Sequence, residues 1–279
     1  MEATIDVVGP SGDTVRIAGD GAGSEGIWLL SEVEGLVDPV SEAVTKPLAS
    51  RPGARLLASR LVERSLVFKV GIDNSDGRWF ERDNRWRKLW SFGGYTDLVV
   101  TAEDGRRTLR CRLEEITVDT TYDPRVNGMT DVTMSVIADD PLFYAADEVA
   151  EVSSGGDGVV ALHNATGRPV YPRFVLAVDG LADTGAPVSL VVDGEVLELP
   201  APERSSFRWV VDTDPSSRQI MDADGYPVWQ RMNGRRFTMT VPADGWVREL
   251  RVESEGSGEF SYQVQARLAQ AYERPWGDV

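Results

Sequence analysis

The chain has 279 residues, of which 42% are hydrophobic and 27% charged, and its formal net charge is −16 at pH 7. This composition is typical of a globular protein and excludes an intrinsically disordered chain, while the acidic excess repels nucleic acid. The single cysteine excludes an intramolecular disulfide, and the single histidine excludes a histidine-based metal cluster.

The length favours two domains, each large enough to bury its own core. No apolar run reaches the roughly 18 residues needed to cross a bilayer, and the first residues lack the basic start and apolar stretch of a secretory signal. A Gly- and Ser-rich tract near residue 155 indicates a joint. We expect an N-terminal domain over residues 1–148, a linker over 149–158 and a C-terminal domain over 159–279.

Alternating apolar residues predict β-strands through the first half of the chain. In the segment 107–122 the alternation slips by one residue at Glu114 and Glu115, which predicts a β-bulge. Cys111 belongs to this pattern and is interpreted as a small buried side chain. The predicted buried faces comprise Leu66, Phe68, Val70 and Ile72, then Leu109, Cys111 and Leu113, then Ile116 and Val118, then Val132, Met134 and Val136.

One short helix is expected in this half, with Asp83 as its N-cap and Gly93-Gly94 after its end. Trp86, Leu89 and Trp90 recur at helical spacing, so the helix should lie across the first sheet with both tryptophans buried. Prolines at positions 39, 47 and 52 predict that Leu36–Gly53 is an irregular arm or long loop.

The second half shows the same alternation between frequent turn signals such as Asp193-Gly194 and Asp224-Gly225. Short strands at this spacing predict a sandwich or barrel. The predicted inward positions are Phe174, Leu176 and Val178, then Phe237, Met239 and Val241, then Phe260, Tyr262, Val264, Ala266 and Leu268.

Two loops resemble ligand-binding motifs by their letters alone. Gly21–Gly26 matches the G-x-G-x-x-G dinucleotide pattern, but the βαβ unit that this motif requires is missing, so a surface loop is favoured. Asp222-Ala223-Asp224-Gly225 resembles part of a calcium loop, yet Asn233 stands where the bidentate glutamate would be. We interpret the second motif as a hairpin turn.

Other candidate sites also have a simpler structural reading. His163 lies at a predicted strand end without a nucleophile motif, which argues against a catalytic triad. Glu253, Glu255 and Glu259 flank a Gly-Ser-Gly turn and are interpreted as solvated rather than as a glycosidase pair. The basic and aromatic segment Arg78–Phe92 could bind single strands, but its helical spacing favours packing.

Several segments follow one another in a distinctive order along the chain: an early Gly-x-x-Leu segment at 26–29, an arginine opening a strand at 64, the tryptophan helix, the Asp-Pro-aromatic exit at 140–144, the opening of the second half at 171–174 and a Glu-Arg-Pro-Trp ending at 273–276. In this order the chain resembles siphophage distal tail proteins, most closely the minor tail proteins of phages that infect actinobacteria. The signature residues of this resemblance are Arg64, Trp86, Trp90, Asp140, Pro141, Phe143 and Pro172.

The resemblance implies a mainly β fold of two β-domains. The N-terminal domain would be split-barrel-like with one short helix and would form a hexameric ring around the DNA channel, and the C-terminal domain would be a jelly-roll or galectin-like β-sandwich. The implied role is a structural virion protein, made in the host cytoplasm and placed at the tail tip.

That role implies no catalysis, cofactor, metal or membrane insertion, and no specific nucleic-acid binding although DNA passes through the ring. The implied partners are further copies of the chain, the tail tube protein, the tape-measure protein and the tail-associated hub protein, so that the protein would connect the tube to the tail-tip or baseplate hub.

Two alternatives remain open from the residues. A carbohydrate-binding module for host-surface attachment could use Trp209, Trp229 or Trp246 as a stacking platform. A hydrolase would need two carboxylates facing each other across a cleft.

Overall fold

The computed structural model describes residues 3–48, 51–119, 121, 123–256 and 259–277, and for 124 and 125 the backbone alone. The described residues form two units, one up to Ala145 together with the terminal segment from Tyr272 to Gly277, the other Ala146–Ala271. Strands dominate both units, which confirms the mainly β prediction. No helix in the described part of the chain is long and apolar enough to cross a membrane.

One antiparallel sheet forms most of the first unit. In chain order the elements of the first unit are β1 (Thr4–Val8), β2 (Thr14–Ala18), β3 (Ile27–Leu29), β4 (Ser41–Pro47), β5 (Ala54–Leu61), β6 (Arg64–Asp73), α1 (Trp79–Leu89), β7 (Thr96–Ala102), β8 (Gly105–Val118), α2 (Pro124–Asn127), β9 (Met129–Ala138) and β10 (Phe143–Tyr144). The main sheet runs β2-β1-β7-β8-β9-β6-β3. Its end strands β2 and β3 lie beside each other, so the sheet is a nearly closed barrel.

The core of this unit contains apolar side chains from the strands of the barrel, whereas β4 and β5 contribute none. All four predicted inward residues of β6 are buried, from Leu66 to Ile72, as are those of β9. The pairing of β8 with β9 shifts between Leu113 and Glu115, which confirms the predicted bulge. β8 pairs with β7 up to Cys111 and with β9 from Arg112 onward, so one long strand serves both halves of the barrel.

The predicted helix exists but begins earlier than expected. It covers Trp79–Leu89, and Asp83 lies inside it instead of capping it. Asp83 forms an ion pair with Arg87 one turn later at 2.7 Å, while the backbone N–H of Trp79 donates to the Asn74 side chain. Trp86 and Trp90 are both buried, as predicted.

The predicted irregular arm is instead a β-hairpin. Strands β4 and β5 pair along their length, with a register shift between Val44 and Thr45. Pro47 is accommodated because it is the last residue of its strand, on a hairpin whose outer edges are unpaired. Residues 49 and 50, within the expected arm, lie outside the described residues.

The second unit is a β-sandwich of two antiparallel sheets. Its elements are β11 (Glu148–Ser153), β12 (Val159–His163), β13 (Arg173–Asp179), β14 (Val188–Val192), β15 (Glu195–Glu198), β16 (Phe207–Asp212), β17 (Ile220–Asp222), a 3₁₀ turn (Trp229–Met232), β18 (Trp246–Ser254) and β19 (Ser261–Leu268). One sheet runs β11-β19-β13-β16-β17 and the other β12-β18-β14-β15. Both contribute to a single apolar core.

The predicted strand over Phe237–Val241 is not a regular strand, although its three apolar residues are buried. Only Val241 forms a bridge, to Val170. Side chains supply the hydrogen-bond partners of the backbone in this segment. The Gln219 amide accepts from the N–H of Phe237 and donates to its carbonyl, and the Thr213 hydroxyl donates to the carbonyl of Met239. The segment thus buries its apolar side chains although it is not part of a regular strand.

The expected linker over 149–158 also differs from the structure. Its first half, residues 149–153, belongs to β11, which pairs with β19, and Val152 is buried in the sandwich core. The C-terminal domain expected over 159–279 differs as well, because β20 (Ala271–Tyr272) pairs with β10 and the described segment Tyr272–Gly277 belongs to the first unit. The second unit is therefore inserted into the first, with crossings after Ala145 and Ala271.

Candidate functional site

The first unit is organised around a buried arginine. Arg64, at the start of β6, is 1% exposed. Its guanidinium donates to the carbonyls of Gly35, Leu36, Pro141 and Glu273 at 3.1, 2.6, 3.1 and 2.6 Å and lies 5.1 Å from the centre of the Phe143 ring. A buried cation is stable only when its donors are satisfied, and here four carbonyls do this. The geometry brings together three signature residues, Arg64, Pro141 and Phe143.

A second buried arginine holds the end of the chain, and the sequence analysis missed it. Arg107 lies in β8, donates to the Arg274 carbonyl at 2.8 Å and pairs with Asp104 at 2.8 Å. Its guanidinium carbon is 3.8 Å from the centre of the Tyr272 ring, a cation–π contact. The available signal was the Glu-Arg-Pro-Trp ending, which the sequence analysis noted only as a resemblance.

The tryptophan pair forms the contact between helix α1 and the barrel. The rings of Trp86 and Trp90 meet edge to face at 5.8 Å, and Phe68 lies 6.2 Å from Trp90. The indole N–H of Trp86 points to the Met134 sulfur at 3.3 Å. The face of α1 that carries the two tryptophans therefore packs against the barrel, which supports the structural interpretation of the basic and aromatic segment Arg78–Phe92.

Ion pairs between charged side chains stabilise the start of helix α1. Asp76 accepts hydrogen bonds from Arg82 at 2.7 and 2.8 Å and from Arg78 at 2.8 Å, and these bonds hold the pKa of the Asp76 carboxyl well below its usual range. The arginines of this segment therefore already have carboxylate partners.

The other two signature residues lie at turns. Asp140 is exposed and accepts from the Leu142 N–H and the Tyr144 hydroxyl, so it shapes the exit from the barrel. Pro172 lies in the second unit, where its carbonyl accepts from the Thr213 hydroxyl at 2.9 Å.

The exposed hairpin is the candidate interaction surface. Every residue of β4 and β5 except Leu61 is exposed, including Leu56 at 59% and Leu57 at 56%. Val40, Val44 and Leu48 are exposed beside them. An isolated two-stranded hairpin is marginally stable in water, and contiguous exposed apolar residues mark contact surfaces.

The motif-like loops are turns in the structure. Gly21, Gly23 and Gly26 have positive φ in successive turns, and the next element is β3, not a helix. The Asp222 carboxylate accepts from the N–H groups of Asp224 and Tyr226, so it stabilises its own turn. No group of three possible metal-ligating side chains occurs among the described residues.

His163 and the three glutamates are not assembled into a catalytic site. The imidazole of His163 contacts Asp244 at 2.8 Å and stacks on Trp246 with ring centres 4.4 Å apart. Glu253 pairs with Arg251. Part of the Gly-Ser-Gly turn, at 257 and 258, lies outside the described residues. Burial raises the pKa of the Cys111 thiol far above its ordinary value, so this cysteine is not a nucleophile.

The three tryptophans considered for sugar stacking do not form one platform. Trp209 is buried in the sandwich core, whereas Trp229 and Trp246 are exposed on different elements, the 3₁₀ turn and β18.

Comparison with known proteins agrees with the sequence resemblance. No protein-family model matches the chain. The minor tail proteins Gp27 of Mycobacterium phages L5 and D29 are 28% and 27% identical over 337 aligned positions, which cover 99% of this chain and 98% of each relative. The crystal structure of the SPP1 Dit protein superposes with a TM-score of 0.64 at 14% identity, covering 96% of this chain and 98% of that one. The chain is thus a relative, over nearly its whole length, of mycobacteriophage minor tail proteins, and its fold is that of a Dit-like tail protein.

Proposed function

We propose that this protein is a structural adaptor of a phage tail, placed at the tail tip between the tail tube and the tail-tip or baseplate hub. The observation that carries the proposal is the similarity to minor tail proteins over nearly the whole chain, in the fold of a protein described as a paradigm of the hub adsorption apparatus. The role is structural and needs no enzymatic site.

The first unit is proposed to form a closed ring of identical copies, six in number by the resemblance to distal tail proteins. Its physical support is the exposed hairpin, whose apolar side chains need a cover that the described part of the unit does not supply. Ring interfaces join two different surfaces of the same chain, and a projecting hairpin suits such a contact.

The proposed surroundings of the ring follow from the same role. The tail tube, tape-measure and hub proteins are the proposed neighbours, and the ring would surround the DNA channel. The net charge of −16 fits this position, because an acidic surface does not retain DNA during passage.

The hairpin provides the first test. Changing Leu56 and Leu57 together to Glu should abolish the ring, because two charges would enter an apolar contact. Stability of the isolated chain should change by less than about 1 kcal/mol, since both side chains are already exposed. Mass photometry and negative-stain micrographs at high micromolar concentration would measure assembly.

A matched control is Val196→Glu, a side chain of similar exposure (58%) on β15 of the second unit, which should leave assembly intact. A wild-type chain that stays monomeric at high micromolar concentration, with no rings in micrographs, would contradict the proposal. Equal loss of assembly in both variants would instead contradict the role of the hairpin.

A further inference from the structure

A cleft on the second unit has the composition of a small-molecule site. It has a volume of about 370 Å³ and lies between the loop before β16, the start of β16 and the turn after β17. Its lining includes three aromatic side chains, Phe207, Trp209 and Tyr226. Charged side chains, among them Arg204, Arg208 and Asp224, line much of the rest, so the cleft offers both aromatic surface and hydrogen-bonding groups to a ligand.

The aromatic side chains are held at different depths. Trp209 is buried and lies 4.2 Å from Phe207 between ring centres, so these two rings form the inner part of the cleft. Tyr226 is 70% exposed and therefore lies at the rim.

The turn that carries Tyr226 is fixed by its own hydrogen bonds. The Asp222 carboxylate accepts from the Tyr226 N–H at 2.7 Å, and the Asp222 N–H donates to the Tyr226 carbonyl at 3.0 Å. Gly225, at φ 83°, permits this tight turn. An exposed aromatic ring on a fixed backbone is preorganised for contact with a ligand.

The charges of the cleft narrow the ligand class. Arg204 and Arg208 have no ion pair or side-chain hydrogen bond within the described residues, and Asp224 lies in the same lining. Arg231 is already paired with Glu203 at 3.3 Å. Free guanidinium and carboxylate groups in one cleft disfavour a strongly anionic or strongly cationic ligand, whereas both bond hydroxyl groups.

We infer that this cleft binds a neutral saccharide, with a sugar ring packed on Tyr226 and its hydroxyl groups bonded by Arg208 and Asp224. The apolar C–H face of a sugar ring suits an aromatic side chain, and the ring hydroxyls suit the flanking polar groups. This site uses neither Trp229 nor Trp246, and it is separate from the hairpin of the first unit.

The test uses the full-length chain on an array of immobilised oligosaccharides of glucose, galactose, mannose, arabinose, rhamnose and N-acetylglucosamine, with uronic-acid oligomers included. The strongest neutral binder is then titrated by calorimetry against Tyr226→Ala and Arg208→Gln. Each substitution should weaken binding about tenfold or more, because each removes one of the principal contacts.

Tyr171→Ala is the matched control, since Tyr171 is an exposed tyrosine of the same unit outside the cleft lining, and it should leave the affinity unchanged. Thermal unfolding of all variants should match the wild type. Absence of binding across the array, stronger binding of the uronic-acid oligomers, or unchanged affinity in both cleft variants would overturn the inference.

Discussion

At the scale of residues, Arg64 shows how one charged side chain fixes a fold. Its carbonyl acceptors come from the chain before β4, from the exit after β9 and from the end of the chain. These segments are far apart in sequence, and the guanidinium holds them together in the folded barrel.

Replacement of Arg64 by Leu should destabilise the first unit by about 3 kcal/mol or more, because buried carbonyls lose their donors and a cavity of a different shape remains. Arg64→Lys should recover only part of this, since an ammonium group cannot reach all four acceptors in the guanidinium geometry. Urea unfolding followed by tryptophan fluorescence would measure both.

The control for this prediction is Arg60→Leu. Arg60 pairs with Glu42 at 2.6 Å on the exposed hairpin, and a surface pair of this kind contributes roughly 1 kcal/mol or less. Similar losses for Arg60→Leu and Arg64→Leu would mean that burial of Arg64 is not what stabilises the unit.

At the scale of elements, the terminal segment from Tyr272 to Gly277 acts as part of the barrel. Glu273 and Arg274 supply carbonyls to the two buried arginines, and the Arg274 side chain pairs with Asp38 at 2.7 Å. Removal of this segment would leave both guanidinium groups with unpaired donors.

A chain ending at Ala271 should therefore show a lower melting temperature for the first unit and an unchanged transition for the second. A chain ending at Trp276 is the control, because it keeps both carbonyls and loses the Gly277 hydrogen bond to Asp104. Calorimetry would resolve the two transitions. Identical melting of both truncated chains would rule out the bracing role of residues 272–276.

At the scale of the whole molecule, the second unit is an insertion. The chain leaves the barrel after Ala145, builds the sandwich and returns at Tyr272. We therefore propose domain limits after Ala145 and after Ala271. A fragment of 1–148 would lack the closing segment of the barrel. A fragment of 159–279 would lack β11 and would carry the segment that belongs to the barrel.

Residues 146–271 expressed alone should fold as a soluble monomer, because this range contains both sheets and their core. Residues 1–145 alone should fold poorly, and joining them through a short Gly-Ser linker to 272–279 should restore both folding and ring contacts. Circular dichroism and mass photometry would distinguish these species. A folded, ring-forming 1–145 fragment would refute the insertion argument.

Local sequence signals were enough to predict most of the secondary structure of the barrel. Period-two alternation placed the buried faces of β6, β9 and β8 up to Leu113, whereas Ile116 and Val118 are only partly buried, and the phase slip at Glu114 located the bulge. The helix was found from Trp86, Leu89 and Trp90, although Asp83 misplaced its start, because a residue that often caps helices can also pair with Arg87 inside one.

Contacts between segments that are distant in the chain became visible only in the folded structure. The hairpin over 41–61 was missed because proline suggested irregular chain, whereas pairing between β4 and β5 tolerates it at a strand end. The linker was misplaced because a glycine-rich turn at its end obscured a strand whose partner, β19, lies more than a hundred residues away. Burial of Arg64 could not be predicted, because its acceptors are backbone carbonyls, and any residue type supplies a carbonyl.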